Sequence, residues 1–105
     1  MALHQQAAQA LARSGAPVEH VAGQLLATDG DLAAWVVEWL LGTAPELQRQ
    51  APAVAVELLQ RALQSPQAGG ERGVTLMTHL ADALFRVGRD AEAREYLRRA
   101  AARTG

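Results

Sequence analysis

The 105-residue chain contains no cysteine, lysine, asparagine or isoleucine. Because cysteine is absent, the chain has no disulfide framework and no thiolate chemistry, which suits a reducing cytoplasm. Because lysine is absent, it has no P-loop for phosphate binding, since that motif needs its lysine. Lysine, asparagine and isoleucine have AT-rich codons, so their absence indicates a GC-rich genome, and we expect a bacterial one.

Aromatic residues and long apolar runs are also scarce. Aromatics make up 4% of the residues, and no apolar run is long enough to cross a membrane, which needs about 18 residues. Residues 1–5 lack the basic segment that precedes the apolar core of a signal peptide. The formal net charge of −1 gives no global field that would attract nucleic acid or an anionic membrane. We therefore expect a cytoplasmic protein that binds neither directly.

The residues that are abundant favour helices. Hydrophobic residues make up 50% of the chain, mostly as Ala, Leu and Val, and the polar positions are rich in Gln, Glu and Arg. Ala, Leu, Gln, Glu and Arg are good helix formers, whereas β-branched residues are few. Breaks at glycine and proline divide this all-α chain into about six predicted helices, at residues 3–14, 17–27, 31–42, 51–64, 71–87 and 91–103.

Short turns between these helices predict three antiparallel hairpins, at residues 1–28, 31–64 and 71–105. We expect the hairpins to stack, because one hairpin cannot bury its own apolar face. Gly15 and Gly88 are predicted to end their helices. Asp29 or Asp31, and then Asp90, are candidate N-caps. Pro45 leaves two alternatives for residues 42–45, an extra short turn or a third helix that continues with a kink.

Apolar residues three and four positions apart predict the inward faces of the helices. In chain order these residues are Leu3, Ala7, Ala10 and Leu11; Val18, Val21, Ala22 and Leu25; Leu32, Trp35, Val36, Trp39 and Leu40; Val54, Ala55, Leu58, Leu59 and Ala62; Val74, Met77, Leu80, Ala81 and Leu84; and Ala93, Tyr96, Leu97 and Ala100. Trp35 and Trp39 are interpreted as core anchors between hairpins, and exposure of one of them at an interface is the alternative.

Two segments of the chain, 55–62 and 93–100, share a spacing of small residues around a leucine. The helix before the second segment has large, large, small and large residues in register, and a glycine follows at the turn. In these positions the C-terminal half resembles the tetratricopeptide repeat, at Met77, Leu80, Ala81, Leu84, Gly88, Ala93, Leu97 and Ala100. Residues 31–64 resemble a degenerate copy. The resemblance implies a right-handed stack of hairpins, and an unrelated Ala/Leu-rich bundle is the alternative.

A second resemblance covers most of the chain. The segments 14–22, 35–38 and 53–63 are similar to the helical region of large ATP-binding LuxR-type (MalT-like) transcriptional regulators. Gln24 stands where that family pattern has histidine, and Gln50-Ala51-Pro52 replaces its Gly-Ala-Pro turn. The resemblance implies a sensor or protein-interaction segment of a bacterial transcriptional regulator. The ATPase and DNA-binding domains of that family are not in these residues.

The tetratricopeptide register implies that the first helix of each hairpin lines a concave face that binds a partner. Phe85 is the only phenylalanine, and beside Asp82 and Arg86 it would be a natural hot spot. The predicted partner is a protein or peptide, or a second copy of the chain. The predicted partner-binding residues are Thr78, Asp82, Phe85, Arg86, Leu40 and Leu47, with Thr75, Val37 and Ala44 on the same face.

No catalytic motif is found, and we expect neither an enzyme nor a cofactor. The chain has no Gly-x-Ser-x-Gly and no His-Glu-x-x-His, and its three histidines, His4, His20 and His79, lie in different hairpins. Residues 11–27 have partial helix-turn-helix spacing, but their second helix offers no basic residue to DNA. A structural hairpin is therefore the preferred interpretation.

The last helix carries a basic side that has two interpretations. It is either a solvated face that stabilises the helix dipole or a patch for an acidic partner; its residues are Arg94, Arg98, Arg99 and Arg103. Two rival functions also remain open. One is binding of a small-molecule inducer, which needs a largely apolar pocket with a few polar groups. The other is a purely structural role, as a spacer or an oligomerisation block.

Overall fold

A computed structural model of the chain describes residues 2–28 and 32–104, apart from the side chains of residues 2–5, 67 and 104. In the described residues the fold has six α-helices and no strand, which confirms the all-α prediction. The helices are α1 (Ala2–Arg13), α2 (Val18–Leu26), α3 (Ala34–Gln50), α4 (Pro52–Leu63), α5 (Gly70–Arg86) and α6 (Asp90–Thr104). A turn of 3₁₀-helix, Pro66–Ala68, joins α4 to α5. The predictions for the side chains of Leu3 and His4, and for capping by Asp29 or Asp31, lie outside the described residues.

Two glycines end helices as predicted. The φ angle is 81° at Gly15 and 82° at Gly88, a region that glycine enters readily because it has no Cβ. After each glycine, the next amide donates to a carbonyl five residues back. Ala16 N lies 3.0 Å from Leu11 O, and Arg89 N lies 2.9 Å from Leu84 O. This capping pattern ends each helix with a sharp turn, and the helices on either side of each turn pack together, α1 on α2 and α5 on α6.

Helix α3 continues through Pro45 to Gln50, which decides between the two alternatives for residues 42–45. Proline removes one N–H from the helix. Just before it, the Thr43 hydroxyl donates to Trp39 O at 2.7 Å. The chain then breaks at Ala51, and Pro52 begins α4, where its missing N–H costs no helical hydrogen bond. Helix α3 is therefore longer than predicted.

The helices pack in chain order. Helix α1 packs on α2, α3 on α4, and α5 on α6, as expected for three hairpins, and α4 also packs extensively on α5. Helix α3 contacts α2, α4, α5 and the 3₁₀ turn, whereas α6 packs on α5 alone. Among the described residues, no helix has both the length and the hydrophobicity needed to cross a membrane.

One core of Leu, Val and Ala side chains runs from α1 to α6. The predicted inward residues of α2 are confirmed, as are the leucines and alanines predicted for α4 and α5. Trp35 and Trp39 pack against the core and are partly buried. The prediction for α1 is wrong in part, because Ala7 and Ala10 are exposed and Ala8 is buried instead. The prediction for Leu97 is also wrong, since its exposed fraction is 40%.

Candidate partner-binding surface and ligand groove

Phe85 and Leu97 are the large apolar side chains that the described residues leave exposed, at 41% and 40%. Phe85 lies on α5 and Leu97 on α6, yet both line one hollow of about 330 Å³. The other residues around this hollow are Thr78, His79, Ala81 and Asp82. We call these six residues the Phe85 surface. It brings the predicted site residues Thr78, Asp82 and Phe85 together, and it adds Leu97, which sequence reasoning had assigned to the core.

The edge of the Phe85 surface is polar. Arg86, also predicted to bind a partner, is exposed, and its Nε lies 3.7 Å from Asp82 Oδ2. The Thr78 hydroxyl donates to the carbonyl of Val74 at 3.0 Å. An apolar centre with a polar rim is the usual organisation of a protein–protein interface.

His79 connects this surface to the core. Its side chain is partly buried, and the loss of hydration lowers the pKa of the imidazole, while nearby Asp82 acts in the opposite direction. Its backbone carbonyl accepts a hydrogen bond of 2.9 Å from Nε2 of Gln48 on α3. Gln48 is 2% exposed, so this contact lies inside the fold, and sequence patterns gave no sign of it.

The structure corrects the prediction for Leu40 and Leu47. Both side chains are fully buried, as are Val37 and Ala44, which were assigned to the same face. The physical reason is that α3 is surrounded, because α2, α4, α5 and the 3₁₀ turn all pack against it. A partner cannot contact these side chains in this fold, and the partner-binding prediction is therefore limited to α5.

A larger groove of about 770 Å³ lies between α4 and α6, over α5. We call it the Arg103 groove. Its apolar lining is Leu63, Met77, Tyr96 and Ala102, and its polar lining is Gln60, Gln64, Arg99 and Arg103. The groove shares no lining residue with the Phe85 surface, and none of its lining residues is acidic. Sequence reasoning missed the groove because three helices form it, although Tyr96, Arg99 and Arg103 follow the spacing of one helical face.

The four arginines of α6 are not equivalent. Glu95 pairs with both Arg98 and Arg99, and the hydrogen bond from Arg98 is the main reason why the pKa of Glu95 is lowered. The Arg99 guanidinium also stands 5.1 Å from the centroid of the Tyr96 ring, within range of a cation–π interaction. Glu95 therefore compensates part of the positive charge of α6, at Arg98 and Arg99, whereas Arg94 and Arg103 form no ion pair in the described residues.

The guanidinium of Arg103 lies close to Gly73 of α5. A Cβ placed on Gly73 would lie 2.8 Å and 2.9 Å from Nη1 and Nη2 of Arg103, and it would overlap the carbonyl oxygen of Ala68. The guanidinium therefore rests against the bare Cα of a buried glycine. Because only glycine leaves this space, α5, the 3₁₀ turn and the end of α6 approach one another closely here.

The described residues contain no cluster of three or more His, Cys, Asp and Glu side chains that could hold a metal ion. His20 is exposed on α2, far along the chain from His79. The described residues do provide an exposed apolar surface, around Phe85 and Leu97, and a groove lined in part by arginines.

Comparisons of the chain with models of protein families, with curated proteins and with solved structures find no match. The resemblances to tetratricopeptide repeats and to LuxR-type regulators therefore remain predictions from the residues that carry them.

Proposed function

We propose that this chain is a non-catalytic, tetratricopeptide-like interaction module of a bacterial transcriptional regulator. In this proposal the Phe85 surface binds a protein or peptide partner. The observation that carries the proposal is that Phe85 and Leu97, from two different helices, meet at one hollow. Exposed apolar side chains that cluster are typical of interaction sites, whereas scattered ones are ordinary.

The packing of α5 and α6 supports the tetratricopeptide part of the proposal. Helices α5 and α6 pack extensively on each other, and the small residues of the pattern, Ala81 and Ala93, are buried at 1% and 0% exposure. Small side chains let paired helices approach closely. The large residues of the pattern on α5, Met77, Leu80 and Leu84, are buried. Leu97 departs from this pattern of burial, because α6 is covered on one side only.

A partner would gain most from Phe85. An aromatic anchor loses little conformational entropy when it is buried, and it offers a large apolar area. Asp82 and Arg86, already close to each other, would supply the polar rim that fixes the orientation of a bound segment. A second copy of the chain is one candidate for this partner, and sedimentation at two concentrations would detect it.

A peptide-display selection tests the proposal directly, because it samples many peptide sequences at once and needs no identified partner. We expect the wild-type chain to enrich peptides that carry an apolar anchor, and the double variant Phe85→Ala, Leu97→Ala not to enrich them. Glu57→Ala, at an exposed position of α4, is the control and should enrich the same peptides.

The folding of the double variant is measured in parallel. Because Phe85 and Leu97 are about 40% exposed, each truncation should lower the free energy of unfolding less than Leu84→Ala does, at a fully buried position where truncation costs roughly 2–5 kcal/mol. Peptides that bind the double variant as tightly as the wild type would contradict the assignment of this surface.

A second candidate function is binding of a small-molecule inducer. The Arg103 groove favours it, because ligand pockets usually occupy about 300–1,000 Å³ and combine an apolar lining with a few polar groups. The groove measures about 770 Å³ and has this mixed lining.

A further inference from the structure

We infer that the Arg103 groove binds a small amphipathic carboxylate, with the apolar part of the ligand on Met77 and Leu63 and its carboxylate on Arg103. The inference rests on the second candidate function, since it names the chemical class of the ligand. It does not depend on the Phe85 surface, which has other lining residues.

The charge of the groove selects an anion. Arg99 and Arg103 both line it, and no acidic residue does. Arg99 already shares Glu95 with Arg98, so its positive charge is partly compensated. Arg103 has no carboxylate partner in the described residues, and a guanidinium matches a carboxylate with two parallel hydrogen bonds. Glu71 of α5 lines a separate hollow together with Arg103, but the two side chains form no ion pair in the described residues, so we expect the ligand to supply the carboxylate.

Arg103 lies against α5 at the edge of the groove. A Cβ on Gly73 would crowd its guanidinium and would also overlap the backbone carbonyl oxygen of Ala68. The close approach of α5 and the 3₁₀ turn therefore requires a glycine here by itself. Arg103 is exposed, so its long side chain can adjust to a carboxylate in the groove.

The apolar lining selects the rest of the ligand. Met77 is 5% exposed and contributes to the groove from α5, with Leu63 of α4 and Ala102 of α6 beside it. A methionine adapts its shape to different apolar groups. One face of Tyr96 is already covered by Arg99, so we expect an aliphatic chain rather than a stacked ring against this lining.

The chain provides its own reporter for this site. It contains two methionines, Met1 and Met77, so a sample labelled only at the methionine methyl groups gives two NMR signals. Octanoate is the probe, and octanol is its neutral counterpart. At neutral pH and low salt, octanoate should shift the Met77 signal saturably. Octanol should bind about tenfold more weakly, because it forms no charged hydrogen bond.

Two variants locate the carboxylate and the chain of the ligand. Arg103→Gln should weaken octanoate binding about tenfold and leave octanol unchanged. Arg94→Gln, at an exposed position of α6 outside the groove, is the matched control and should leave the affinities for octanoate and octanol unchanged. Ala102→Trp should fill the groove and abolish binding of both probes, while circular dichroism shows that the helices are retained.

Each of the other outcomes overturns the inference in a different way. Equal affinity for octanoate and octanol would leave an apolar groove without anion recognition, and the ligand class would be wrong while the second candidate function survived. If neither probe shifted the Met77 signal, both the ligand class and the second candidate function would be wrong. A Met77 signal that moves with protein concentration alone would show that a second copy of the chain fills the groove.

Discussion

Gln48 on α3 and His79 on α5 are joined inside the core, where Nε2 of Gln48 donates to the backbone carbonyl of His79 at 2.9 Å. A glutamine with 2% exposure is costly to bury unless its polar atoms are bonded. The described residues leave no buried side-chain nitrogen or oxygen without a partner. This contact ties the partly covered face of α5, which carries the Phe85 surface, to the centre of the fold.

Substitution of Gln48 should therefore depend on volume. Gln48→Ala should lower the free energy of unfolding by roughly 2–4 kcal/mol, because it removes the hydrogen bond and leaves a cavity. Gln48→Met keeps most of the volume and should cost about 1 kcal/mol or less. Urea denaturation of the two variants measures the difference. Equal effects would show that packing at this position contributes little.

Gly73 should tolerate no side chain. In Gly73→Ala the new Cβ would overlap the carbonyl oxygen of Ala68 and crowd the Arg103 guanidinium, so we expect a loss of about 1–3 kcal/mol. Gly42 of α3 is the matched control, since a Cβ there meets no atom within 4 Å. Gly42→Ala should stabilise the fold by about 0.5–1 kcal/mol. Thermal denaturation of both variants should give shifts of opposite sign.

Arg61 should hold the end of α2 against α4. Its Nη1 donates to Leu25 O at 3.1 Å and its Nη2 to Thr28 Oγ1 at 3.3 Å. A hydrogen bond from a charged group contributes at most about 1.5–3 kcal/mol to the stability of a fold. Arg61→Ala should therefore speed hydrogen exchange at the amides of α2 more than at those of α5. Arg49→Ala, at an exposed position of α3, is the control and should leave hydrogen exchange in both helices unchanged. If Arg61→Ala accelerated exchange equally in α2 and α5, Arg61 would not stabilise α2 locally.

Protonation of His79 should weaken the fold. Burial lowers the pKa of His79 below its usual value of 6.5, so the unfolded chain takes up this proton at a higher pH than the folded chain. Between the two pKa values the unfolded state holds more protons, and the free energy of unfolding falls as the pH drops through about 6.5. Denaturation as a function of pH should show this loss, which His79→Gln removes.

Much of the helical architecture could be predicted from local patterns. The stripes of α2 and α4 contain Val and Leu at helical spacing, and polar residues mark the other side, so periodicity identified their buried faces. The stripe of α1 could not be placed in the same way. Ala7, Ala8 and Ala10 differ little in hydrophobicity, and only the position of α2 decides that Ala8 is the buried one.

Which residues of the candidate site are buried or exposed depended more on which helices pack against one another. Leu40 and Leu47 are buried because four elements surround α3, whereas Leu97 is exposed because α6 has one neighbour. No local pattern contains this information. Thr78, Asp82 and Phe85 could be grouped from sequence because they share one side of α5. Gln48 and Gly73 could not be recognised, since a polar residue and a glycine gain their roles from contacts with other elements.

The most direct test of the proposed function is the affinity of a selected peptide for wild-type chain and for Phe85→Ala. We predict that Phe85→Ala weakens binding at least about tenfold, or roughly 1.4 kcal/mol, as for an aromatic hot spot, while the Glu57→Ala control binds like the wild type. Equal affinity of the peptide for wild type and Phe85→Ala, with both chains folded, would contradict a partner-binding role for the Phe85 surface.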